Sequence, residues 1–136
     1  MNLLSAGRVA QSGLLAQRVR INVAATNLAN AQVTRTLEGG PYRAKDVVLK
    51  AIPLSKENPV LQQVKVEAIK DSPLPFREVY DPGHPDADER GIVRYPNVDV
   101  ITEMVELLSA SRAYEANLTV LSTTKSMFLR TLDLLK

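Results

Sequence analysis

Between Asn97 and Lys136 the seam positions recur after four and then three residues: Val100, Met104, Leu107, Ser111, Tyr114, Leu118, Leu121, Lys125, Phe128, Leu132 and Leu135. That period predicts one long helix with a coiled-coil seam, and no Gly or Pro interrupts it. Roughly forty residues make a rod of about 60 Å. A stripe of that length needs a second helix to cover it, and neighbours beyond that. Met1–Ala31 supplies the second helix, with Leu3, Gly7, Ala10, Leu14, Gln17, Ile21, Ala24, Leu28 and Ala31 on one seam. Several of these are small and invite close approach. Gly7 and Gly13 each cost up to about 1 kcal/mol against Ala, so this helix depends on packing for its order.

The middle of the chain changes period. After a turn-rich exit at Gly39, Gly40 and Pro41, Tyr42–Ile52 reads as a strand that Pro53 ends, and 55–59 as a polar loop. Val60–Ile69 alternates, with Val64, Val66 and Ala68 on one face and Lys65 and Glu67 on the other. Phe76–Tyr80 and Ile92–Tyr95 are two further short strands. The expected fold is mainly α with a small β element. Its long N- and C-terminal helices pair as an antiparallel coiled coil, and an antiparallel β segment of about four strands is inserted between them. The division is 1–31 for the first helix, 32–96 for the β-rich insert and 97–136 for the last helix. The insert has too few large apolar residues for a core of its own and should pack on the helices.

Charge adds a register. The first acidic residue is Glu38, whereas the final helix opens with Asp99, Glu103 and Glu106. An antiparallel fold brings Arg18 and Arg20 to the level of Glu103 and Glu106, a set of charge pairs that would fix the register. The net charge of +2 and the absence of Trp argue against a nucleic-acid partner. With no cysteine, thiolate chemistry and Cys-based zinc are excluded. No segment reads as a cleaved secretory signal or a membrane span.

One stretch looks like chemistry. Asp81, His84, Asp86, Asp88 and Glu89 crowd into DPGHPDADERG, between the third and fourth strands. A hard cation would suit such oxygens, but the spacing is not that of an EF-hand and the composition is ordinary for a turn. The expectation is a structural loop, with no metal, no cofactor, no catalytic residues and no small-molecule substrate. The competing readings are a metal-dependent enzyme centred on His84 and a soluble coiled-coil adaptor or export chaperone.

The segments NVAATNLANAQVTRT, from Asn22, and NVDVITEMVELLSASRAYEANLTVLSTTKSMF, from Asn97, resemble the terminal signatures of bacterial flagellar rod and hook proteins. The short insert, with GGPYRAKDVVL and VYDPGHPDADERGIVRYPNVDV, is similar to that of the proximal rod members. The resemblance implies a structural subunit that assembles with copies of itself and with other rod proteins into a torque-transmitting helical tube. It also implies export through the flagellar type III apparatus without a cleaved signal, and a place in the periplasmic rod of the basal body. The Asn27/Asn30 turn would fix how the chain leaves the tube's inner layer. The assembly interface expected from the seams and the signature comprises Leu14, Ile21, Asn27, Leu28, Asn30, Met104, Leu107, Tyr114, Leu118, Leu121, Phe128 and Leu132. Val105, Leu108, Val120, Leu129 and Leu134 remain for further neighbours.

Overall fold

The computed structural model describes residues 3–55 and 58–134. Leu135 of the expected seam, and part of the expected 55–59 loop, lie outside the described residues. Two long helices frame the chain: α1 (Leu3–Ala29) and α2 (Val100–Asp133). Asp99 caps α2, its side chain accepting from the Ile101 and Thr102 N–H groups, and Glu103 adds negative charge to the first turn. Both satisfy or complement the free donors of a helix start. With 34 residues, α2 is about 51 Å long.

The helices lie antiparallel. Gly7 sits beside Leu121 and Thr124, and Gly13 beside Asn117. Arg20 meets Glu106, and Asn27 meets Glu103. The face that α1 turns inward is small: Ala10, Gly13, Ala16 and Ala24 are buried, and Ala110 is the buried residue of α2. This differs from the expected seam on α2. Val100, Met104, Leu118, Phe128 and Leu132 are all exposed, Met104 by 58%. Leu107, Ser111, Tyr114 and Leu121 are half-buried. The reason is steric. Closest approach between two helices goes to their smallest side chains, so the contact line runs through glycine and alanine and turns the bulky stripe outward.

Between the helices the chain forms β1 (Lys45–Ser55), β2 (Asn58–Asp71), β3 (Arg77–Tyr80) and β4 (Ile92–Tyr95). They do not make one sheet. β1 pairs with β2 and β3 with β4, as two separate antiparallel ribbons. Pro53 does not end β1 but lies within it, opposite Gln62. A proline is tolerated there because a two-stranded ribbon consists only of edge strands. The long ribbon leans on α1: Leu15, Ala16 and Val19 face Ile52, Val64 and Val66 across a shallow groove. Ser12 Oγ accepts from the Val64 N–H at 3.1 Å and donates to the Val9 carbonyl at 2.7 Å, tying strand to helix.

The short ribbon has its own small centre, with Val93 fully buried. Phe76 is flanked by the Arg43 and Arg94 guanidiniums, at 4.2 and 5.1 Å from its ring centre. The chain reverses before β1 through Gly39 and Gly40, at φ 88° and 73°, a backbone region that glycine alone enters without steric cost.

The close approach of the helices has a measurable consequence. A carbon added at Gly7 would rest 3.8 Å from Leu121, whereas one at Gly13 would meet the Asn117 side-chain oxygen at 2.7 Å. Gly7→Ala is therefore expected to stabilise by up to about 1 kcal/mol, and Gly13→Val to cost about 1–3 kcal/mol. Denaturant unfolding followed by circular dichroism measures both, and similar shifts for the two would contradict the packing.

Candidate functional site

Two surfaces matter: a buried polar joint and an exposed apolar stripe. The joint forms where α1, β1 and α2 converge. Asn27 is 1% exposed, and every hydrogen-bonding position of its amide is used. Its Nδ2 donates to the Lys45 carbonyl at 3.0 Å and to Glu103 Oε1 at 2.9 Å. Its Oδ1 accepts from the Tyr42 hydroxyl at 2.9 Å and from the Lys45 N–H at 3.0 Å. One side chain thus binds the start of β1 as a neighbouring strand would, while also holding α2.

A second asparagine works one residue away. Asn97 Oδ1 accepts from the Ala44 N–H at 2.8 Å, and its Nδ2 donates to the Leu74 carbonyl at 2.8 Å. Arg43 Nη1 donates to the Ser72 and Leu74 carbonyls at 2.9 and 3.1 Å. The base of the long ribbon is therefore pinned from the end of α1 and from the approach to α2. The Asn30 side chain, by contrast, donates within its own turn, to the Thr26 carbonyl at 2.8 Å.

Of the four residues expected to pair by charge, Arg20 and Glu106 meet, at 2.6 Å. Arg18 does not join them, because two residues turn the helix by about 200° and place it beside the ribbon instead. Glu103 takes its hydrogen bond from Asn27. Burial pushes the Glu103 carboxyl above the ordinary range; the Asn27 hydrogen bond opposes this, and nearby Asp46, Glu106 and Asp99 add to it. Burial likewise raises Tyr42.

The acidic loop is engaged inside the chain. Asp86 accepts from Thr34 Oγ1 at 2.8 Å and pairs with Arg35. Asp88 Oδ1 accepts from the Arg90 and Ile92 N–H groups, both at 2.8 Å. His84 Nδ1 accepts from the Asp86 N–H at 3.1 Å. The Thr34 bond holds Asp86, and the Ile92 N–H holds Asp88, below the usual carboxylate range. Among the described residues no group of three or more His, Asp or Glu is placed to hold a metal ion. The loop acts as a clasp that joins the short ribbon to the exit from α1.

The stripe is the other surface. Outward on α2 stand Met104, Leu118, Phe128 and Leu132, together with Val105, Leu108, Val120, Leu129 and Leu134. Ile101, Met127, Leu4 and Leu15 join them, and the seam pattern did not single these four out. Leu14, Ile21 and Leu28 of α1 are half-buried, as are Leu107, Tyr114 and Leu121 of α2. Exposed apolar residues clustered in this way mark a place where other molecules bind.

Residues 8–35 match the family described as flagella basal body rod protein, and residues 89–134 match flagellar basal body rod FlgEFG protein C-terminal. The chain is 48% identical to the flagellar basal-body rod protein FlgC of Yersinia enterocolitica, over 98% of both chains. It is 42% identical to that of Borreliella burgdorferi, over 100% of this chain and 99% of the relative. The Aquifex aeolicus protein of the same name is 41% identical, over 98% of this chain and 97% of its own. The chain belongs to the flagellar basal-body rod protein family. It is a structural rod subunit of the basal body and not an enzyme. An adaptor or chaperone role is not favoured by these relatives. The matched segments include α1 from Arg8 onward and all of α2, so the family's shared signature falls on the helix pair.

Two measurements test the joint. Asn27→Ala leaves the Tyr42 hydroxyl, both Lys45 backbone groups and Glu103 without their partner, and is expected to cost at least about 2 kcal/mol. Glu103 has a higher pKa folded than unfolded, so the folded state holds its proton more tightly. Stability is therefore gained as pH falls through the folded pKa and lost as pH rises through it. Glu103→Gln, which keeps an oxygen for Asn27, is expected to stabilise at neutral pH and to flatten that slope. Thermal melts of both proteins across about pH 4–8 would show it, and parallel curves would contradict it.

Proposed function

We propose that the chain is a proximal rod subunit whose helix pair lines the inner layer of a tube, while residues 32–96 form the outer part. Copies and other rod proteins stack against the α2 stripe in coiled-coil fashion, through Met104, Leu118, Phe128 and Leu132 with Leu107, Tyr114 and Leu121 beside them. On α1, Leu14, Ile21 and Leu28 extend the same interface, and Asn27 and Asn30 set the path by which the chain leaves it. The subunit reaches the periplasm through the flagellar type III apparatus, without a cleaved signal, and transmits motor torque to the hook.

The observation that carries this reading is the outward stripe, left over once the helices have packed through their small residues. Fully burying one Leu, Met or Phe is worth roughly 1.5–3 kcal/mol. Several together offset the entropy of association. Long helices packed across subunits also resist twisting, as a drive shaft must.

The test is complementation of a strain lacking this gene. The wild-type chain is expected to restore swimming and to copurify with basal bodies. A Met104→Glu/Leu132→Glu variant, altered only at exposed positions, is expected to keep its helical circular dichroism yet fail to enter basal bodies. Normal swimming with that variant would overturn the stripe as the assembly surface, and a wild-type chain absent from purified basal bodies would overturn the rod reading itself.

A further inference from the structure

The end of the helix pair where α1 begins is apolar and basic at once. There Leu3, Leu4, Leu118, Leu121 and Phe128, from both helices, line one open groove of about 610 Å³. Leu4 is 70% exposed. The charged residues of the lining, Arg8 and Lys125, are both basic. Arg130 follows on α2, and no acidic residue occurs in α1, or in α2 between Glu115 and Asp133. Among the described residues none of these three cations is in an ion pair. At the opposite end of the pair the carboxylates are engaged within the chain: Asp99 caps α2, Asn27 holds Glu103 and Arg20 holds Glu106.

We infer that this end of the helix pair docks side-on to an anionic lipid bilayer while the subunit is free. The inference goes beyond the rod reading, and gives the chain a resting place before it is built in. A helical face with large apolar side chains, basic residues and no acidic ones lies in the bilayer interface, apolar side toward the acyl chains and cations among the phosphates. The long stems of Arg8 and Lys125 carry their charges from the groove to the headgroups. A protein partner would need carboxylates at fixed positions to meet these cations, whereas lipid phosphates move to wherever the cations stand. Among the described residues no helix is long and apolar enough to cross a membrane, so the contact is with its surface. In the assembly proposed above, neighbouring subunits cover Leu118 and Phe128. Lipid and neighbours thus compete for the same side chains, and the membrane contact ends as the subunit is incorporated.

The chain has no tryptophan, which makes the contact directly readable. Phe128→Trp places one fluorophore in the groove, and Tyr80→Trp places one on β3, at a position 74% exposed. Each full chain is mixed with vesicles of phosphatidylcholine alone, or of phosphatidylcholine and phosphatidylglycerol in equal parts. With the anionic vesicles the Phe128→Trp emission is expected to shift to the blue and to be quenched by lipids brominated on their acyl chains. The Tyr80→Trp emission is expected to stay as it is in water. Raising the salt concentration is expected to weaken binding. Adding Arg8→Glu and Lys125→Glu is expected to lower the vesicle partition coefficient at least about 20-fold. Lys70→Glu with Arg77→Glu, the same change of charge at exposed ribbon positions, is expected to leave it nearly unchanged. Circular dichroism checks that the charge variants keep their helices, and the Phe128→Trp signal stands without them. No blue shift on anionic vesicles would overturn the inference and leave the groove to a protein partner. An equal response to neutral vesicles, an equal shift at position 80, or an equal loss from the ribbon charges would overturn it as well. The rod reading fails separately, through absence of the wild-type chain from purified basal bodies.

Discussion

The structure depends on one buried amide. Two long helices and a two-stranded ribbon have little mutual core, and the residues buried between the helices are mostly alanine and glycine. Small side chains allow contact but do not specify where along the helices it occurs. Asn27 provides that information, because its four hydrogen bonds form only when the end of α1, the start of β1 and the first turn of α2 are in register. In a low-dielectric joint a fully satisfied amide is favourable and an unsatisfied one is costly. Misregistered arrangements therefore lose more than they would if the joint were greasy. The Arg20–Glu106 pair, more exposed, supports the same register with smaller stakes.

The helix pair also explains why the surface is so apolar for a chain this size. Packing through small residues brings the backbones close but hides few large side chains. What remains outside on α2 is large and apolar toward both of its ends, Val100 to Leu108 and Leu118 to Leu134. The same choice that makes the pair slim makes it unfinished. On the assembly proposed above, the incompleteness of each subunit is what binds one to the next.

Much of this was legible in the residues, and the failures have physical causes. The α2 segment, with no Gly or Pro and a steady heptad, announced its helix, and Ile92–Tyr95 was bounded correctly by its Gly and Pro neighbours. The face of α2 turned to α1 was legible only in part: Leu107, Ser111, Tyr114 and Leu121 of the seam are half-buried, but hydrophobic periodicity weights bulk, whereas the approach of two backbones selects Ala110 and the gap beside Gly13. Splitting of the β segment into two ribbons was invisible, since alternation reveals strands but not partners. On the expected interface, the large stripe residues were visible as apolar and periodic. Tyr42 and Asn97 were missed because polar residues near turns look like solvent-facing punctuation. Only the neighbouring prolines and glycines hinted that a fixed joint lay there. The crowded carboxylates of the Asp81–Gly91 loop looked like a site, and two of them turned out to hold the loop's own backbone and the exit from α1.

The long ribbon rises from a base pinned by two asparagines, and away from that base, among the described elements, it packs on α1 alone. Its outer reach is thus uncoupled from the joint that sets the register. Adding one pair of residues to each strand would carry the tip about 7 Å further along α1, toward that helix's N-terminal end, while keeping every side chain on its original face. How far the arm covers the flank of α1 could therefore be altered by editing its length alone, with the joint left as it is.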